Sequence, residues 1–289
     1  MENTQFCLGY NTCGFMRTSD LAQVLMTIQK IGYHGIEISL DPVHYHPYSS
    51  PDSALRELKR TLQQTGFRNV VATGARYVLG PVKHEPSIIS KDPEDRKRWN
   101  QFLKDSILLA KDLGSECVML HSGYLQEGVN PKDAWGWMVE TLNNACQTAL
   151  SCGQKLALEF HPDMFIRTYD DYVKLKKEIP FSNFGLTLDI GHVACTETVP
   201  QGELIRKAGK EIFNVHLDDI KGNLHKHLPV GRGDIDFKSV FEALSEIEYK
   251  GLASVEYNSN DGEEDERELA ERAYCTLLSF LPESFAANR

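Results

Sequence analysis

Five residues of metal-ligand or proton-transfer type, His121, Glu159, Asp189, His216 and Glu256, each close a short apolar run of this sequence. Alternate residues of an extended strand point to opposite faces, so parity sorts their neighbours. Glu159 shares a face with Ala157, against Leu156, Leu158 and Phe160. Asp189 goes with Thr187 and Gly185, His216 with Asn214, and Glu256 with Ser254. The bulkier Leu186, Leu188, Phe213, Val215, Leu217, Ala253 and Val255 take the other faces. If these runs are strands of one barrel, Glu159, Asp189, His216 and Glu256 point at one axial spot. Three carboxylates and an imidazole without partners would raise one another's pKa values or push apart. A divalent cation relieves that crowding. Three oxygens and one nitrogen suit Mn²⁺, Co²⁺, Zn²⁺ or Mg²⁺, in that order, with open coordination positions left for a substrate. The competing arrangement pairs the carboxylates with Lys or Arg, but neither type stands at the matching run ends.

More histidines gather around the same end. His192 follows Asp189 by three, His225 and His227 precede Gly231-Arg232-Gly233-Asp234, and Ser122-Gly123 follow His121. Neutral imidazoles there can bind sugar hydroxyls or hold extra metal ions. His44 and His46 lie in a Pro-containing loop with Tyr45 and Tyr48, and read as loop packing before substrate contact. Arg76, Tyr77, Lys83 and His84 follow the third run, where they could hold an anionic or polyol group or simply be solvated.

The elements that must position these residues follow from hydrophobic rhythm. Short apolar runs at 6–10, 35–40, 69–73, 116–121, 155–160, 183–189, 212–217 and 251–256 are bounded by Gly, Pro or Asn, as strands are. Segments of helical period lie between them. Leu21, Val24, Leu25, Ile28 and Ile31 line one face of the first, which Ser19 or Asp20 can cap and Gly32 can end. Trp135, Met138, Leu142, Ala145, Ala149 and Leu150 line another that Gly153 closes. Further segments fall at 52–65, 93–113, 168–178, 201–208, 237–247 and 264–280. Eight alternating units predict parallel strands with right-handed crossovers, closed as a single (β/α)8 barrel domain over residues 1–289. An open doubly wound sheet would want a Gly-rich phosphate turn after the first strand, and Tyr10-Asn11-Thr12-Cys13-Gly14 is not one. In a barrel, chemistry gathers at the C-terminal ends of the strands, where the five residues fall.

Composition bounds the partners. The 289 residues carry a formal charge of −10, with 41% hydrophobic and 25% charged residues, as ordinary globular proteins do. No apolar run approaches the roughly 18 residues that span a bilayer, so no membrane role is expected. The acidic balance argues against nucleic acid, whose phosphates need concentrated Lys and Arg. Seven widely spaced cysteines without a C-x-x-C pair, and no visible secretory signal, point to reduced thiols in a cytoplasmic protein. A homo-oligomer is compatible with a barrel of this size.

Leu158-Glu159-Phe160-His161-Pro162, Leu188-Asp189-Ile190-Gly191-His192, Val215-His216-Leu217-Asp218-Asp219, the stretch from His227 through Gly231-Arg232-Gly233-Asp234 to Phe237, and Val255-Glu256-Tyr257 together resemble the sugar phosphate isomerase/epimerase superfamily. That group has a xylose isomerase-like TIM barrel and includes ketose 3-epimerases, inosose dehydratases and endonuclease IV. The resemblance implies that Glu159, Asp189, His216 and Glu256 are metal ligands, with Glu159 and Glu256 also the proton-transfer pair. It implies a substrate-contacting or metal-binding role for His192. His227 and His121 match residues that hold further zinc ions in the nuclease branch. Three departures point away from that branch: His225-Lys226-His227 replaces Asp-Arg-His, Arg232 replaces a common Glu, and strand three ends in Thr73-Gly74-Ala75.

The expectation is a metal-dependent isomerase or epimerase acting on a small keto-sugar or polyol. One divalent ion, Mn²⁺ first, would stabilise an enediolate while Glu159 and Glu256 move the proton. His192, His121, His225, His227 and Arg232 are expected to orient the substrate. A dehydratase or lyase acting on a keto-sugar, keto-glycoside or inosose would share the first step. A zinc phosphodiesterase and a non-catalytic sugar-binding barrel rank below these.

Overall fold

Short runs rich in β-branched and small residues form eight strands: β1 (Cys7–Asn11), β2 (Gly35–Ser39), β3 (Arg68–Ala72), β4 (Val118–His121), β5 (Leu156–Glu159), β6 (Phe184–Asp189), β7 (Ile212–Leu217) and β8 (Leu252–Val255). The computed structural model describes residues 6–74, 77–257 and 264–281. Each strand pairs in parallel with the next, and β8 returns to pair with β1 through Cys7–Leu252 and Gly9–Ser254, which closes the barrel. The (β/α)8 architecture read from the sequence is the one observed, and the open-sheet alternative is set aside.

The crossover helices are α1 (Leu21–Ile31), α2 (Asp52–Thr65), α3 (Pro93–Leu113), α4 (Pro131–Ser151), α5 (Tyr169–Glu178), α6 (Ile190–Thr196), α7 (Gln201–Ala208), α8 (Phe237–Glu246) and α9 (Glu266–Phe280). Their ends obey local chemistry. Asp20 accepts the Gln23 N–H at 3.0 Å to start α1, and Gly32 ends it at φ 119°. Asp92 and Asn130 cap α3 and α4, each followed by Pro at the first helical position. The short α6 is an element that hydrophobic periodicity did not reveal.

Two layers fill the barrel. Its floor is apolar: Cys7, Val70, Ala72, Cys117, Met119, Ala157 and Leu252 pack together. Gly9 and Gly35 make room for Leu252, since a Cβ on Gly35 would stand 2.1 Å from Leu252 Cδ1. The upper layer is polar and buried, with Asn11, Glu37, Ser39, Glu159, Thr187, Asp189, Asn214, His216 and Ser254. Outward-facing Leu156, Leu158, Leu186, Leu188, Val215 and Ala253 join the main core with the helices. Alternation is lost at the start of β7, where Ile212 joins the outer core and Phe213 the floor. The register of β6 against β7 shifts between Leu186 and Thr187, so that Leu186 faces Ile212 and Thr187 faces Asn214. Phe213 is left over by this bulge and packs against the floor cluster rather than the helices.

Candidate active site

Glu159 and Asp189 are the last residues of β5 and β6, His216 is the penultimate residue of β7, and Glu256 follows β8. All four are buried, and each offers one ligand atom within 4.8 Å of the others. His216 is the hub. Its Nδ1 lies 2.9 Å from Glu159 Oε1, 2.9 Å from Glu256 Oε2 and 3.8 Å from Asp189 Oδ2. Its Nε2 faces across the barrel to Glu37 on β2, at 2.9 and 3.0 Å from the two carboxylate oxygens. The Asn214 amide donates to the same carboxylate at 3.1 Å. Glu37 therefore fixes the imidazole so that Nδ1 points into the carboxylate cluster, the arrangement in which a carboxylate orients a metal-binding histidine.

Burial alone would push the Glu159 and Glu256 carboxyls up. The His216 imidazole beside both, with His121 beside Glu159, outweighs burial and holds them well below the usual carboxylate range. Burial opposes the charge on His216, but Glu37, Glu256 and Glu159 raise it well above the ordinary imidazole value. Asp218, just past β7, is raised well above the usual range by burial, then by Asp189 and Glu256. Its Oδ1 accepts the Gly191 N–H at 3.0 Å, and a Cβ on Gly191 would stand 2.3 Å from its Oδ2. That approach accounts for Gly in Asp189-Ile190-Gly191-His192.

Asp189 uses Oδ1 to accept the His192 N–H at 2.7 Å, which caps α6, while its Oδ2 is buried and takes no hydrogen bond. Leaving a carboxylate oxygen buried without a partner is costly. A set of three oxygens and one nitrogen converging beside that oxygen fits a divalent ion.

The outer histidines also converge. His225 Nε2 lies 3.2 Å from His192 Nε2 and 3.3 Å from His227 Nε2. His161 joins them, its ring centroid 4.6 Å from that of His192 and 4.7 Å from that of His225. His121 contacts Glu159 through Nε2 and stacks edge-on against His84 and His161. Arg232 is not brought into this cluster: it pairs with Glu264 at the exposed rim, with Nη2 to Oε2 at 2.8 Å. His44 is a packed residue, bonded to Asp41 and to the Phe15 and Thr18 carbonyls. Tyr48 bonds Asp105 on α3. Arg76 lies outside the described residues.

Glu37, Asp218 and His161 received no role from the sequence. Glu37 carried one signal, a charge inside an apolar strand on the face it shares with Gly35 and Ser39. The other two sit inside quoted motifs, but their partners come from distant segments.

A barrel closed by parallel strands, with acidic and imidazole side chains at one mouth, is matched by one family model over residues 25–275, described as a xylose isomerase-like TIM barrel. The chain belongs to that family. It is similar to an uncharacterized protein of Methanocaldococcus jannaschii, 31% identical over 197 residues, which are 63% of this chain and 65% of that protein. It is also similar to the D-psicose 3-epimerase of Ruminiclostridium cellulolyticum, 26% identical over 249 residues, 82% of this chain and 78% of that enzyme. A solved D-tagatose 3-epimerase-like barrel superposes with a TM-score of 0.78 at 24% identity, covering 97% of this chain and 100% of that one. The barrel of the IolI protein with a bound zinc superposes at 0.76 and 22% identity, covering 95% and 98%.

Proposed function

We propose that this protein is a divalent-metal-dependent sugar epimerase or isomerase acting on a small keto-sugar. The observation that carries this reading is the single imidazole nitrogen, His216 Nδ1, flanked at 2.9 Å by carboxylates from β5 and β8. Similarity to a D-psicose 3-epimerase supports the substrate class.

Glu159, Asp189, His216 and Glu256 would hold the ion. When bound, it supplies a Lewis-acid position for the oxygens of the substrate. Glu37 holds His216 in the tautomer this requires. Glu159 and Glu256 reach one space from strands three places apart round the barrel. One removes the proton beside the carbonyl and the other returns a proton from its own side, which inverts the carbon. His121 and the ring of His161, His192, His225 and His227 would orient hydroxyls. The apolar floor beneath the polar layer keeps water from approaching from below.

The test is incubation of Mn²⁺-loaded protein with a ketose panel in D₂O, with deuterium incorporation read by NMR. Glu159→Gln and Glu256→Gln should each lower turnover by about a hundredfold or more while circular dichroism is unchanged. Full activity in both variants would exclude the mechanism.

A further inference from the structure

We propose that the N-terminal mouth of the barrel, at the opposite end from the carboxylate cluster, binds a dianionic phosphoryl group, as free phosphate or as a sugar monophosphate. The inference does not rest on the epimerase reading.

Four cations meet at that mouth. Arg68 opens β3, Lys155 immediately precedes β5, and Lys210 and Lys250 stand two residues before β7 and β8. Parity explains why three of them turn inward. Arg68, Lys155 and Lys250 each stand two residues ahead of a floor residue, Val70, Ala157 and Leu252 in turn. Together with Lys210 they line a cavity of about 320 Å³, with Phe213 and Tyr249 among its other walls. That volume lies at the small end of ligand sites, which run from about 300 to 1,000 Å³.

The charges around this cavity do not cancel. Two carboxylates, Glu116 and Glu248, also line it. Glu116 is taken by Arg68, which bonds it through Nε and reaches the Lys250 carbonyl through Nη2. Among the described residues, Lys155, Lys210 and Lys250 form no ion pair. Lys155 leans inward instead, its Nζ 4.9 Å from the centroid of the Phe213 ring. Three ammonium groups therefore face one carboxylate, Glu248, in a chain whose formal charge is −10. The floor beneath adds no negative charge. Burial pushes the Cys7 thiol up to about 12, and holds the Cys117 thiol and the Tyr249 phenol well above their ordinary values. A cleft lined by one sign of charge over apolar walls focuses its field on whatever enters.

The available groups select the ligand. The Arg68 fork is engaged with Glu116, so two-pronged recognition of a flat carboxylate is not offered. Ammonium groups act as point charges and suit the spread charge of a phosphoryl group. Phe213 is half-buried and presents apolar surface to the carbon skeleton of a phosphate ester.

Isothermal titration of the full chain, stripped with chelator and dialysed to low ionic strength, tests this with inorganic phosphate and with fructose 6-phosphate. Equal affinities assign the mouth to free phosphate, and tighter binding of the ester assigns it to a phosphorylated sugar; either supports the site. The paired variant Lys155→Gln/Lys250→Gln should raise the dissociation constant about tenfold, as the loss of two exposed contacts to a dianion does. Glu248→Gln removes the opposing charge and should lower it about threefold, a gain that misfolding does not produce. Glu159→Gln, at the other mouth, should leave it unchanged, which separates this site from the catalytic one. Failure of both phosphates to bind, or a dissociation constant that the lysine pair does not change, overturns the proposal.

Discussion

Replacing Glu37 with Gln probes the support behind His216. The Glu37 carboxylate takes the His216 Nε2–H on both oxygens, at 2.9 and 3.0 Å, and the Asn214 amide at 3.1 Å. Gln keeps the shape and one acceptor but removes the charge. A hydrogen bond to a charged group contributes about 1.5–3 kcal/mol net, and a neutral one roughly half as much. The swap should therefore weaken this contact by about 1–1.5 kcal/mol. A doubly charged ion on Nδ1 loses more from the missing carboxylate than the single proton it displaces. The expected Mn²⁺ dissociation constant rises about tenfold, since a decade corresponds to roughly 1.4 kcal/mol. That is the lower end of the effect usual for groups that orient metal-binding imidazoles. Isothermal titration of chelator-stripped protein near neutral pH reads it directly. Glu37→Ala is the contrast: it strands two buried donors and should also lower stability by about 1–3 kcal/mol for each. An affinity in Glu37→Gln within about twofold of wild type would refute the argument.

Other outcomes follow from the floor, from Asp218 and from the ion. Gly35→Ala should cost about 1–3 kcal/mol by overpacking against Leu252, and Leu252→Ala about 2–5 kcal/mol by leaving a cavity. Urea unfolding of the double variant should show a smaller loss than the sum, and strict additivity would contradict the packing described. Asp218 is raised as an acid, so its contribution is present below the unfolded value near about 3.9 and is lost as pH rises through its folded value. In chelator, Asp218→Asn should flatten the part of the fall in melting temperature that runs from acid toward neutral pH; an unchanged slope counts against the burial argument. Saturating Mn²⁺ at about a hundred times its dissociation constant should add about 2.7 kcal/mol, or about 5 °C in melting temperature for a chain of this size. Calorimetry that finds no shift would remove the ion from Glu159, Asp189, His216 and Glu256.

Much of this architecture was legible because both of its codes are local. Alternating apolar runs and helical segments announced the barrel, and two-residue parity placed Glu159, Asp189, His216 and Glu256 on the inward face. Parity failed at Phe213, because a bulge is a property of the pairing between β6 and β7 and leaves no mark in β7 alone. Glu37 was hidden because its meaning depends on His216, 179 residues away. Arg232 was expected to orient the substrate, but its guanidinium pairs with Glu264 at the exposed rim, a partner 32 residues away. The outer histidines face Phe160, Asp163 and Asp218, neighbours that only folding brings into reach.

Asp189 divides its two oxygens between two tasks, one starting α6 and the other turned toward the carboxylate cluster. A helix of seven residues is too short to persist by itself, so it leans on that cap and on its packing. Loading the barrel mouth would draw on the same carboxylate and firm the segment that carries His192. Amide exchange along 190–196 would then serve as a gauge of occupancy.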